Sequence, residues 1–121
     1  MEIVFETGSV SIKGRLMDSA CAREIGNSLP IETAVNTWGD EIYFTIPEKC
    51  PSEKLTTDVS LGDIGFWPEG NCLCVFFGRT PMSVDDQPMP VSGIEIVGEI
   101  TGDLSALKKI NSGEKIAVKR A

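Results

Sequence analysis

Apolar residues recur at every second position in many short stretches of the chain, which is the period of a β-strand with one buried face. In segment 41–46, Ile42, Phe44 and Ile46 fall on one face, and Tyr43 and Thr45 on the other. Alternation or a short apolar run predicts further strands in segments 2–6, 9–16, 33–36, 64–67, 72–77, 95–100 and 115–119. The pattern therefore predicts about seven or eight strands.

Two segments carry helical signals instead. Segment 18–29 begins with a capping serine, repeats apolar residues every four positions and ends at Pro30. Segment 103–110 begins with a capping aspartate, and its lysines lie at the carbonyl end, where the helix dipole favours cations. Because strands and helices do not alternate as β-α-β units, we expect a mostly antiparallel sheet closed into a barrel, with helices covering its ends.

In two stretches the apolar residues follow neither the strand period nor the helix period. Segment 48–58 is polar, and segment 79–93 carries three prolines. We expect both to be irregular connections, and the second is long enough to be of the kind that often carries function.

The charge balance narrows the choice of partners. The 121 residues include 11 Lys+Arg and 18 Asp+Glu, which gives a formal net charge of −7. Such a surface repels phosphate backbones, so we expect no nucleic-acid partner. No apolar run approaches the ~20 residues of a membrane span, so we expect no membrane partner either.

The titratable residues exclude several kinds of chemistry. The chain has no histidine, which removes the usual general base and the commonest metal ligand. The four cysteines lack the spacing of a zinc or redox motif, so we predict no metal and no cofactor. Met1 leads directly into a predicted strand without a signal-peptide pattern, and a cytoplasmic location with free thiols is therefore expected.

Strand 72–77 carries two of the thiols on one face. Alternation places Cys72, Cys74 and Phe76 on one side of the sheet, and the residues between them on the other. One face fills the barrel, and the other is buried only if a helix or loop covers it. We interpret both thiols as inert, buried small hydrophobes.

The chain resembles the small cyclophilin-like family of bacteria and archaea, whose biochemical role is unassigned. The resemblance covers nearly the whole chain and is carried by these motifs: Trp38-Gly39-Asp40-Glu41-Ile42-Tyr43-Phe44, Gly62-Asp63-Ile64 to Gly70-Asn71, Phe76-Phe77-Gly78 with Thr80-Pro81-Met82-Ser83, and Gly98-Glu99-Ile100-Thr101-Gly102-Asp103. It implies a mainly β fold, a cyclophilin-like closed antiparallel β-barrel with two short helices, formed by residues 1–121 as one domain.

The likeness to true cyclophilins is weaker and rests on the order and spacing of elements. Aligning a cyclophilin's Ile-Pro on Ile46-Pro47 places Phe44 where the isomerase arginine stands, and Val75 replaces the family's glutamine. Phe77 keeps one wall of the proline pocket. Arg79 is the arginine nearest in sequence to any groove, and a solvated loop arginine is the preferred interpretation. The resemblance therefore implies the barrel without an efficient isomerase.

The hypothesis that follows is a binding protein. An apolar groove around Phe77, with Tyr43 or Phe44, would accept a peptide segment or a small apolar ligand. Further candidates at its edge are Trp38, Trp67, Met82 and Arg79, although the preferred interpretation of each tryptophan is a lid on one end of the barrel.

The acidic pair Asp40-Glu41, next to Trp38, has two interpretations. It either pairs with a cationic or amine-bearing ligand or forms a solvated hairpin tip, and the second is preferred. Two other classes of function stay open. One is a weak prolyl isomerase or another enzyme component built on this barrel, and the other is a structural or oligomerising module.

Overall fold

Nine strands form one antiparallel sheet in the computed structural model, which describes residues 1–121. They are β1 (Glu2–Glu6), β2 (Ser11–Leu16), β3 (Ile31–Ala34), β4 (Asn36–Thr37), β5 (Glu41–Thr45), β6 (Asp63–Trp67), β7 (Cys72–Phe76), β8 (Glu95–Ile100) and β9 (Lys115–Arg120). Their order across the sheet is β3-β9-β1-β2-β8-β6-β7-β5-β4. The predicted mainly β, antiparallel architecture is confirmed.

The sheet curls until its two edges nearly meet. The edge strands β3 and β4 follow each other in the chain and are separated by Val35. The N–H of Val35 donates to the carbonyl of Glu114 at 2.9 Å, and its carbonyl accepts from Gly113 N–H at 2.8 Å. Because Val35 bonds to the turn before β9, the predicted strand 33–36 is two strands, and the barrel is nearly closed.

Both predicted helices are present, and both are shorter than predicted. Helix α1 (Ala20–Asn27) is capped by the Ser19 hydroxyl, which accepts from Ala22 N–H at 3.2 Å. The second is a 3₁₀ helix (Leu104–Lys109), capped by the Asp103 carboxylate, which accepts from Ser105 N–H at 3.0 Å. Neither helix has the length and apolar content needed to cross a membrane.

The barrel interior contains one face of each long strand. On β5, Ile42 and Phe44 share one face, as the alternation predicts, and both are fully buried in the barrel interior. The Phe44 ring meets Phe5 of β1 edge-on, with ring centroids 6.5 Å apart. Leu73, Val75 and Phe77 follow the same rule along and just beyond β7, and they belong to the same apolar cluster.

A second, smaller apolar cluster lies on the outer face of the sheet. It contains Cys72, Cys74 and Phe76 of β7, packed with Val59 from the connection before β6 and Ile94 from the connection before β8. Thr56 and Ile94 join these connections in an isolated antiparallel bridge, with reciprocal hydrogen bonds of 2.8 and 3.0 Å. Strand β7 is therefore buried on both faces, because loops cover the outer one.

Candidate functional site

A cavity of about 200 Å³ lies on the outer face of β5, β7 and β6, beside the end of the long connection 79–93. Six of its eight lining residues are hydrophobic, and they include both tryptophans of the chain. The lining residues are the aromatic Trp38, Tyr43 and Trp67, the aliphatic Pro90, Val91 and Ile94, and the polar Glu41 and Cys74. The cavity is therefore apolar, with one carboxyl group in its wall.

Small residues in the middle of the sheet make room for the cavity. In the register of the strands, Tyr43 pairs with Cys74, and Cys74 pairs on its other side with Gly65. Ile94 packs directly over Gly65, where an added Cβ would collide with the isoleucine side chain. Across the three paired strands, the large side chain of Tyr43 is thus followed by the small side chain of Cys74 and by Gly65, which has none. This decrease in size leaves a hollow beside Tyr43.

Trp67, the last residue of β6, is fixed at both ends of its indole. Its Nε1–H donates to Ser92 Oγ at 2.7 Å, and the Ser92 hydroxyl donates to Glu69 Oε2 at 3.0 Å. The benzo ring of the indole lies against Gly70, where an added Cβ would collide with it. The ring is therefore held between the β6–β7 turn and the long connection.

Trp38 precedes a tight turn that is pinned to the start of the long connection. Gly39 has a positive φ of 61°, and an added Cβ there would lie 2.8 Å from the carbonyl oxygen of Arg79. The same carbonyl accepts from Asp40 N–H at 2.8 Å, and Phe77 N–H donates to Asp40 O at 2.9 Å. These bonds hold the turn that follows Trp38 beside the end of β7.

Glu41 supplies the only charged group in the cavity wall. It is 6% exposed, and its Oε1 has no hydrogen-bond partner. Burial raises the pKa of Glu41 to about 7, and a hydrogen bond with the Cys74 thiol offsets part of this effect. A buried carboxyl with an unpartnered oxygen is costly for the fold, and such groups concentrate at functional sites.

The preferred interpretation of Asp40-Glu41 as a solvated hairpin tip is therefore wrong for Glu41. Glu41 is the first residue of β5, and the period of two places it on the same face as Tyr43. The long connection covers that face. The burial of Glu41 follows from its position in the strand together with this cover, which the sequence pattern did not indicate.

The structure brings together three of the predicted site residues, Trp38, Tyr43 and Trp67. Phe77 and Phe44 do not line the cavity, because both point into the barrel interior on the other side of the sheet. The cavity therefore lies on the opposite face of the sheet from Phe77.

The two predicted residues on the long connection also lie outside the cavity wall. Met82 is half exposed. Arg79 is exposed, and its guanidinium lies 3.9 Å from the Asp86 carboxylate. Neither arginine nor lysine lines the cavity. No cluster of three potential metal-ligating His, Cys, Asp or Glu side chains occurs in the structure.

Sequence reasoning missed Cys74, Pro90, Val91 and Ile94 as lining residues, and it offered Glu41 only in the less favoured interpretation of Asp40-Glu41. For Glu41 and Cys74, the signal was the shared outer face with Tyr43 across paired strands. The other three lie where the long connection meets β8, and their position depends on how that connection folds back over the sheet.

Comparison with known proteins agrees with this architecture. The chain matches the family described as "Cyclophilin-like" over residues 1–119. The chain belongs to the cyclophilin-like family. Among solved structures, the solution structure of a hypothetical protein from Archaeoglobus fulgidus superposes with a TM-score of 0.84 at 34% sequence identity, covering 100% of this chain and 95% of that one. Among curated proteins, none matches the chain.

This cyclophilin-like barrel departs from the isomerase site at both aligned positions on the sheet. Phe44 and Val75 lie in the barrel interior, so neither position faces a ligand on the outer surface. The outer cavity instead combines aromatic rings with a carboxyl group.

Proposed function

We propose that this protein binds a small, largely apolar ligand, or one apolar side chain of a peptide, in the cavity between Trp38 and Trp67. The observation that carries the proposal is the convergence of three aromatic side chains and one unpartnered buried carboxyl on a single hollow. Apolar pockets with a few convergent polar groups are the default binding sites of proteins.

The size of the cavity limits the ligand. A water molecule in the liquid takes up about 30 Å³, so a cavity of about 200 Å³ holds roughly seven atoms of that size. Pockets for drug-sized ligands are larger, at about 300–1,000 Å³. The site therefore fits a fragment-sized molecule better than a long peptide.

Prolyl isomerisation receives no support from this site. The reaction requires stabilisation of the twisted amide, and a cation near the proline nitrogen is the usual device in cyclophilins. The cavity wall contains a carboxyl and no cation. Arg79, the candidate substitute, faces Asp86 instead.

A fragment screen followed by NMR tests the binding function. The indole N–H signals of Trp38 and Trp67 are direct reporters, because both rings line the cavity. We expect apolar fragments at millimolar concentration to shift both indole signals and the amide signals of Val91 and Ile94. If no fragment shifts either indole, or if all shifts map elsewhere, the proposal is wrong.

A matched pair of variants identifies the site. Val91 is half exposed and lines the cavity, whereas Val84 lies in the same connection and does not. Val91→Phe adds volume at the cavity wall, and we expect it to abolish the fragment shifts. Val84→Phe adds the same ring to an exposed position and is expected to leave them unchanged.

A further inference from the structure

The carboxyl group in the cavity wall has one oxygen without a hydrogen-bond partner. This oxygen, Glu41 Oε1, is buried. A buried acceptor without a partner loses its hydration and gains nothing in return. A donor that enters with a ligand would supply a partner for this carboxyl group.

Three features favour a positively charged donor. The carboxyl is the only charged group in the wall, so a cation would be neutralised there and an anion repelled. Trp38, Tyr43 and Trp67 line the same small space, and aromatic faces attract cations within about 6 Å. The net charge of −7 also draws cations toward the surface.

We propose that the ligand is a small protonated amine, whose N–H donates to the Glu41 carboxylate while its apolar part packs between Trp38, Tyr43 and Trp67. This inference rests on the proposed binding function and adds the chemical class of the ligand. The carboxyl acts as the counter-ion, and the aromatic rings exclude water from the pair. Such charge-assisted hydrogen bonds are about twice as strong as neutral ones.

The ionisation of Glu41 is coupled to binding. The titratable groups that interact with it are the thiols of Cys74 and Cys72 on β7, and Asp40 precedes it in the chain. Burial raises the pKa of Glu41 to about 7, and a bound ammonium would lower it again. Amine affinity is therefore expected to rise about tenfold between pH 6 and pH 8.

Benzylammonium and benzyl alcohol are suitable probes because they have nearly the same size and differ in charge. Tryptophan fluorescence reports only on this cavity, since both tryptophans of the chain line it. We expect benzylammonium to bind about tenfold more tightly than benzyl alcohol at pH 8. Equal affinities, or tighter binding of the alcohol, would overturn the proposal, as would tighter binding of benzyltrimethylammonium, which has no N–H.

Glu41→Gln keeps the size of the side chain and removes its charge. In this variant we expect the preference for benzylammonium to fall to about one, and the pH dependence of its affinity to disappear. Asp40→Asn removes the same charge at the adjacent residue, which does not line the cavity, and should keep the preference. A preference that survives in Glu41→Gln would assign amine recognition to another group.

The test separates failure of this inference from failure of the binding function. If benzyl alcohol and benzylammonium both shift the indole signals with equal affinity, the cavity binds ligands without selecting amines. If no fragment of any charge shifts them, the binding function itself is wrong.

Discussion

The indole N–H of Trp67 donates a 2.7 Å hydrogen bond to the hydroxyl of Ser92, which joins the end of β6 to the long connection 79–93. The Ser92 hydroxyl in turn donates a hydrogen bond to Glu69 Oε2 at 3.0 Å. The bond therefore fixes one ring of the cavity wall and one end of the loop beside it.

We expect Ser92→Ala to lower the free energy of unfolding by about 1 kcal/mol, because a partly buried indole N–H loses its partner. The indole proton signal of Trp67 should move upfield, and that of Trp38 should stay. Ser9→Ala, at an exposed serine, serves as the control in urea unfolding and NMR. An unchanged Trp67 signal would mean that the hydrogen bond does not hold the ring.

Gly70 provides the surface on which the Trp67 indole lies. Gly70→Ala would place a Cβ in collision with the ring, so the indole or the turn must shift. We expect a loss of about 1–3 kcal/mol in the free energy of unfolding, which is typical of overpacking. Gly8→Ala is the matched control, because an added Cβ there meets nothing within 4 Å. Equal stability of the two variants in urea unfolding would contradict the packing of the indole on Gly70.

The alternation of apolar and polar residues was sufficient to predict most of the strands in the fold. Ile42 and Phe44 share one face as predicted, because alternation along a strand depends only on neighbouring residues. The break at Val35 was not predictable in this way, because it depends on hydrogen bonds to Gly113 and Glu114, far along the chain.

The candidate site was predicted only in part, for a related reason. Alternation separates Phe77 from Cys74 but does not state which face is the barrel interior and which is covered by a loop. The cover itself comes from segments without a period, such as the residues around Val59 and Ile94. Trp38 and Trp67 were found because large rings near turns are conspicuous in a sequence, and Tyr43 was found from its place in a predicted strand. The burial of Glu41, in contrast, depends on the folded loop.

The four thiols are expected to differ in reactivity. Burial raises the pKa of all four, to about 12 for Cys21 and well above the usual range for Cys74. Only Cys50 is partly exposed. Because the thiolate is the reactive form, iodoacetamide at pH 8 should label Cys50 first, and the other three only on unfolding. Peptide mass spectrometry after timed labelling measures this order, and Cys50→Ser should remove the early product. Labelling of Cys74 as fast as Cys50 would show that the cavity wall opens readily.

The buried carboxyl of Glu41 makes stability depend on pH in a defined direction. Its pKa is about 7 in the folded protein and 4.5 as an ordinary glutamate. Between these values the folded state keeps a proton that the unfolded state has lost, so the free energy of unfolding falls as the pH rises. Below pH 4.5 the contribution of Glu41 is fully retained, and above pH 7 it is lost.

Glu41→Gln isolates this contribution, because glutamine does not ionise. Urea unfolding should show the variant gaining about 2–3 kcal/mol relative to the natural chain between pH 5 and pH 8. Glu48→Gln makes the same chemical change at an exposed carboxyl that forms no ion pair, and it serves as the control. If the Glu41→Gln difference does not change between pH 5 and pH 8, the Glu41 carboxyl ionises as freely as one in water. In that case the cavity wall would have to be open to solvent around Oε1.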